Sequence, residues 1–247
     1  MELSELRRIK SKIQSVNPQR WWGDDFDVRF YLISKIKNLK CKSVLDIGGG
    51  IGIISSELDK SNLRINLDAS FNDLKVCKDS LDPTIENICA VMTDLPFKED
   101  VFDCIISAST LQYAKLNDIE KKLPIENNHI LQYPAVEKTL TEIFRVLHSN
   151  SILFLVTPNN SYYRSYMLNY HELKLALKNH FSNYVLTFYN PFPRLSKSHR
   201  LLNLANLIPK LLSKTIGRDK LLDKFLLKQD SGNDRDSVSF YVEAFKN

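Results

Sequence analysis

Apolar runs of strand length alternate along this chain with segments of helical period. The runs Ser43–Ile47, Arg64–Asp68, Ile88–Val91, Cys104–Ala108 and Ile152–Thr157 are largely apolar. That pattern predicts strands covered on both faces. Helical spacing falls near Val28–Leu39, Gly52–Leu58, Asn72–Ser80, Ala135–Val146 and His171–Asn179. Strands alternating with helices predict an α/β fold with a doubly wound, mostly parallel sheet. Two further strands, Tyr184–Tyr189 and Val238–Phe245, are less continuously apolar. They are expected to pair antiparallel at one edge, which makes seven strands in all.

Two segments depart from the alternation. Lys115–Pro134 reads as a lengthened loop after the fourth strand, and Pro191–Asp236 separates the last two strands. The expected organisation is a single domain. Residues 1–42 form a helical N-terminal cap, residues 43–190 and 237–247 the core, and residues 191–236 a basic, leucine-rich helical insert. A chain of 247 residues is long enough for one such core. No apolar run approaches membrane-spanning length, and Met1–Gln14 is charged and helix-like, unlike a secretory signal. Cys41, Cys77, Cys89 and Cys104 show no CxxC pair. They read as reduced thiols of a cytoplasmic protein, with no metal site.

Glycine changes the picture. The chain has seven, and Gly48, Gly49, Gly50 and Gly52 fall together after the first strand, in Ser43-Val44-Leu45-Asp46-Ile47-Gly48-Gly49-Gly50-Ile51-Gly52. Such a turn implies close approach of a ligand to the backbone. Followed by a helix, it is expected to set main-chain N–H groups and a helix N-terminus under that ligand. The dinucleotide fingerprint GxGxxG would need glycine where Ile53 stands. Asp46, two residues before the first glycine, would repel a pyrophosphate and suits an ammonium group. Asp68 ends the second strand, where a carboxylate can accept both hydroxyls of a ribose. Asp94, in Thr93-Asp94-Leu95-Pro96-Phe97, follows the third strand. It is expected to meet an adenine amine, with the Leu95 main chain beside the ring. Phe97 and Phe102 read as core, and Asp103 as a turn into the fourth strand.

These residues resemble the class I S-adenosylmethionine-dependent methyltransferases, in particular the type 11 group. The resemblance rests on LDIGGGIG, LDAS and TDLPF…FDCIIS in register, and on Glu137–Leu147 before the fifth strand. It covers roughly Val44–Pro158. Leu147-His148-Ser149-Asn150-Ser151 replaces the family's Leu-x-Pro-Gly-Gly turn. The resemblance implies a Rossmann-like fold with S-adenosylmethionine as cofactor. It implies a binding set of Asp46, Gly48, Gly49, Gly50, Gly52, Asp68, Ala69, Asp94, Leu95 and Thr110.

The methyl acceptor is expected at the carboxyl ends of the strands, against Ser109–Tyr113 and Pro158–Tyr163. Neither loop carries the Asn/Asp-Pro-Pro-Tyr motif of amino-methylating nucleic-acid enzymes, or the Pro-Cys pair of cytosine C5 enzymes. Tyr113, His129 and Tyr162 are the candidate acceptor-side groups, and Trp21 and Trp22 a candidate aromatic wall. Charge then bears on partners. Arg194–Lys228 carries +7 and Met1–Lys42 +5, against +5 for the whole chain, so the glycine-bearing body is acidic. The basic insert suits an anionic membrane surface or a lipid-linked acceptor. The expected function is methylation of a small-molecule or lipid-linked acceptor, such as a glycan precursor. An RNA methyltransferase and a non-catalytic, cofactor-binding regulatory protein are the rival readings.

Overall fold

Side-chain alternation along the central strands decides the architecture. In β1 (Ser43–Ile47), Val44 enters one apolar cluster, while Leu45 and Ile47 enter another. β4 (Phe102–Ala108) divides the same way, Cys104 and Ile106 against Ile105, and β7 (Leu147–Pro158) sets Phe154 and Val156 against Leu153 and Leu155. With both faces apolar, the sheet needs a helical layer on each side. The computed structural model that shows this describes residues 3–16, 28–121, 125–127, 130–159, 166–189, 227–229 and 239–247.

The remaining main strands are β2 (Leu63–Asp68), β3 (Glu86–Cys89), β8 (Asn183–Tyr189) and β10 (Ser239–Lys246). Small strands β5 (Ile125–Asn127) and β6 (Ile130–Gln132) pair with each other apart from the main sheet. The main order is β3-β2-β1-β4-β7-β10-β8-β9, where β9 is the three-residue Leu227–Gln229. Pairing is parallel from β3 through β7, and β10 runs antiparallel to both β7 and β8. The sheet is thus the doubly wound, mostly parallel one that the pattern predicts, with antiparallel pairing towards one edge. Because β1 lies between β2 and β4, the chain reverses its winding there, and a crevice opens at the carboxyl ends of β1 and β4.

One face carries α1 (Leu3–Val16) and α2 (Val28–Ile36). Leu6, Ile9 and Ile13 of α1 form a buried stripe at helical spacing. Its polar side reaches the segment after the glycines. Lys12 Nζ donates to Ser56 Oγ at 2.8 Å, and Arg8 pairs with Glu57. The other face carries α4 (Leu111–Glu120), α5 (Pro134–Val146) and α6 (Tyr170–His180). Asp118 of α4 accepts the Ala135 N–H at 2.7 Å, satisfying an otherwise unpaired amide at the start of α5. Asn169 and Glu172 form a capping box at the start of α6.

Several expectations need correction. Gly52–Leu58 is no α-helix: it is a series of turns ending in one 3-10 turn, Ser55–Glu57. Ser55 and Ser56 spend their hydroxyls on Asp46 and the Ile53 carbonyl, and such bonds compete with helix formation. The helix expected at Asn72–Ser80 is α3 (Phe71–Val76), followed by a wider turn to Leu81. Lys115–Pro134 is not simply a loop, because α4 runs through its first half. The stretch Leu147–Ser151, expected as a turn, is the start of β7, and Asn150 within it takes the left-handed conformation, with φ 61°. Asp103, expected at a turn, lies inside β4 instead and ties it to the start of β1, accepting the Lys42 and Ser43 N–H groups at 2.9 Å each. Phe97 and Phe102 pack edge to face at 4.8 Å. All four cysteines are free. Most of the 191–236 insert lies outside the described residues. No helix among the described residues is long and apolar enough to cross a membrane.

Candidate cofactor and acceptor site

A cavity of about 720 Å³ occupies the crevice, within the size range of small-ligand sites. The glycine turn forms its floor. Gly48, Gly50 and Gly52 have φ of 68°, 57° and 76°. At Gly48 a Cβ would also fall 2.2 Å from Thr110 Cγ2, so only glycine fits there. Three glycine amides of the turn are spent within the fold, unlike those of a phosphate-binding turn. The Gly48 N–H donates to Leu67 O at 2.6 Å, the Gly50 N–H to Asp68 Oδ2 at 2.8 Å, and the Gly52 N–H to Gly49 O at 3.0 Å.

Asp46 lines this floor at 1% exposure. Its Oδ2 accepts from Ser55 Oγ at 2.8 Å, while Oδ1 has no partner among the described residues. Burial pushes its pKa up to about 7, against the lowering effect of the Ser55 hydrogen bond and with a further push from the nearby Asp68 carboxylate. Asp68 also lines the cavity. Its oxygens accept the Gly50 and Ser70 N–H groups at 2.8 Å each, which fixes its plane and leaves further lone pairs for a ligand. Asn66, fully buried, holds Gly50 O through Nδ2 at 2.9 Å and Asn87 Oδ1 at 3.0 Å. Sequence reasoning misses this residue, because along the chain it reads only as a polar interruption of a strand.

Of the expected binding set, Asp46, Gly48, Gly49, Asp68, Ala69 and Thr110 line the cavity together. Gly50 and Gly52 shape the turn beneath. Asp94 and Leu95 are not among its walls; Ala90–Thr93 stand there instead. Asp94 is exposed, and the Leu95 N–H donates to Glu142 Oε2 at 2.9 Å rather than facing a ring. Arg145 completes this clamp, donating to Leu95 O at 3.1 Å and Phe97 O at 2.7 Å and pairing with Glu142 at 2.7 Å. Both clamp residues belong to the Glu137–Leu147 motif, and they tie the chain just beyond the wall residues Ala90–Thr93 to α5.

The opposite wall is α4. Tyr113, Asn117 and Lys121 line the cavity at four-residue spacing, with Gln112 and Ala114 beside them. Tyr113 is 54% exposed at the rim. The other acceptor-side candidates, His129 and Tyr162, lie outside the described residues, as do Trp21 and Trp22. α4 is hard to see in the sequence because its inward face carries polar residues. Lys115 is buried with Glu172 at 2.7 Å, and Asp118 caps α5. The Leu111, Ala114, Asp118 spacing is the signal that could have found it.

A sheet in this order, with a glycine turn and two carboxylates at the switch point, is the arrangement that the resemblance to the class I S-adenosylmethionine-dependent methyltransferases implies. Residues 45–155 match the methyltransferase domain family. An uncharacterised protein of Methanocaldococcus jannaschii is 30% identical over 149 residues, which cover 50% of this chain and 64% of that protein. The match thus spans less than two thirds of the relative's length. The TehB-like S-adenosylmethionine-dependent methyltransferase of Corynebacterium glutamicum shares the fold over 100% of both chains, at 12% identity and a TM-score of 0.55. The N-methyltransferase NodS of Bradyrhizobium japonicum, solved with S-adenosylhomocysteine, shares it over 73% of this chain and 89% of its own, at 13% identity and a TM-score of 0.52. S-adenosylmethionine is the cofactor of this class, and the walls fit it. Asp46 has a buried oxygen without a partner among the described residues, and Asp68 keeps lone pairs beyond the two amides it accepts.

Proposed function

We propose that this protein methylates a small-molecule or lipid-linked acceptor. The observation that carries the reading is the unpaired Oδ1 of buried Asp46, beside a turn whose Gly48, Gly50 and Gly52 amides are already satisfied. A buried acceptor oxygen beside amides with nothing to offer an anion favours a cationic group. When bound, S-adenosylmethionine supplies a methyl group already activated on a sulfonium sulfur. The chain's task is then orientation and exclusion of water. Asp46 holds the amino end, Asp68 the ribose, and the main chain and side chains of Ala90–Thr93 border the base. The α4 wall presents the acceptor, with Tyr113 at the rim.

The lipid-linked reading draws on the sequence alone. Residues 194–228 combine a charge of +7 with leucines at near-helical spacing, which suits an anionic surface. Two measurements test the proposal. Calorimetry with S-adenosylmethionine and S-adenosylhomocysteine should show binding of both; binding of neither would overturn the methyltransferase reading. Co-sedimentation should then favour vesicles containing phosphatidylglycerol over neutral phosphatidylcholine vesicles, and equal partition would remove the lipid-linked acceptor. A radiolabelled-methyl screen of lipid, RNA and small-molecule extract fractions distinguishes the acceptor classes. Label entering RNA alone would favour the RNA rival.

A further inference from the structure

Among the described residues, two that line the cavity carry a buried side-chain oxygen with no hydrogen-bond partner, Asp46 and Gln112. A buried acceptor left unpaired calls for an explanation. The cofactor's ammonium accounts for Asp46. It does not account for Gln112, which is 4% exposed.

The orientation of this amide is fixed. Gln112 Nε2 donates to Ser109 O at 2.7 Å, and turning the amide over would set two oxygens against each other. The unpaired atom is therefore Oε1, an acceptor. Its anchor is held too. Ser109 sits at φ 59°, a left-handed conformation unusual for serine, and its N–H donates to Val156 O at 2.7 Å. Thr110, two residues before Gln112, packs on Gly48 closely enough to forbid a Cβ there. Gln112 thus stands next to the glycine turn, on the α4 side of the cavity, with Tyr113 and Asn117 continuing the same wall.

We propose that Gln112 Oε1 receives a hydrogen bond from the methyl acceptor, so that the acceptor atom is a nitrogen or oxygen bearing hydrogen rather than a carbon. The proposal rests on the methyltransferase reading. An amide oxygen accepts from an amine, amide or hydroxyl and disfavours a carboxylate or phenolate. Holding the N–H or O–H turns the heteroatom's lone pair towards the methyl carbon. The new bond forms from that pair, the carbon–sulfur pair stays on sulfur, and the proton of the acceptor passes to water.

The test uses the full chain saturated with S-adenosylhomocysteine. The probes are a fragment set of small amines, amides and alcohols, with O- or N-methylated and carboxylate counterparts. Titration calorimetry gives affinities, and nitrogen-15 spectra report the Gln112 side-chain NH₂. Donor-bearing fragments should bind at least about tenfold more tightly than their counterparts and shift the Gln112 signal. Gln112→Met, which keeps the bulk and removes the oxygen, should abolish that preference and leave S-adenosylhomocysteine affinity unchanged. The proposal is overturned by a set with no donor preference or no binders, by an unmoved Gln112 signal in the wild type, or by equal loss of S-adenosylhomocysteine binding in the variant. The last result would assign the oxygen to the cofactor. Failure of the wild type to bind S-adenosylhomocysteine would take down the methyltransferase reading and this one with it, whereas intact binding without donor preference takes down this one alone.

Discussion

Replacing Asp46 by asparagine removes a titration that should dominate the pH dependence of folding in the ligand-free protein. The ordinary pKa near 3.8 rises to about 7 in the fold, chiefly through burial. A raised value means that the folded state prefers the protonated carboxyl. The associated stability is complete below about pH 3.8, declines as pH climbs towards 7, and stays low above that. Each tenfold difference in proton affinity between the folded and unfolded chain corresponds to about 1.4 kcal/mol. Between pH 5 and pH 8 the wild type should therefore lose about 2–3 kcal/mol relative to Asp46→Asn, which has no charge to desolvate. Urea unfolding of both proteins at pH 5, 6, 7 and 8 measures this, because titrations not coupled to Asp46 are common to the pair and cancel in the difference. Saturating S-adenosylhomocysteine should shrink the effect, since an ammonium beside the carboxylate favours its ionised form. A difference in stability that does not vary with pH, or that moves the other way, would refute the reasoning.

Three further outcomes are expected. Asp68→Ala should weaken S-adenosylhomocysteine binding at least about tenfold, the loss expected from about 1.4 kcal/mol of hydrogen bonding, and unchanged calorimetric affinity would remove the ribose role. Gly48→Ala meets both a φ of 68° and a contact at 2.2 Å with Thr110, so backbone strain and overpacking of about 1–3 kcal/mol each should show as a lowered urea midpoint. Arg145→Ala strips Leu95 O, Phe97 O and Glu142 of a shared partner. It should cost about 1–2 kcal/mol and speed hydrogen exchange at residues 95 and 97; unaltered exchange there would show that the clamp does not hold the loop.

The strands are legible in the sequence because burial on both faces leaves an uninterrupted apolar record, as in Val44-Leu45 and Cys104-Ile105-Ile106. Asp46, Asp68 and the glycines are legible because spacing along one strand–turn–strand unit fixes them. What escapes is set by contacts distant in sequence. The Leu95 amide is taken by Glu142, 47 residues on, and no local pattern reports that. α4 escapes because Lys115 and Asp118 face inward, where their partners Glu172 and Ala135 come from later elements. Gln112 lies within a segment that the sequence already sets against the acceptor. Its importance depends on a hydrogen bond to Ser109 that leaves one oxygen over, and only the three-dimensional arrangement reveals that.

The inward-bonded glycine amides have an electrical consequence. Turns that seize phosphate do so by aiming several unspent N–H dipoles outward. Here Gly48, Gly50 and Gly52 discharge theirs into Leu67, Asp68 and Gly49, so these three amides keep no hydrogen for an anion in the crevice. A nucleoside triphosphate would find none of these three N–H groups free to bind it.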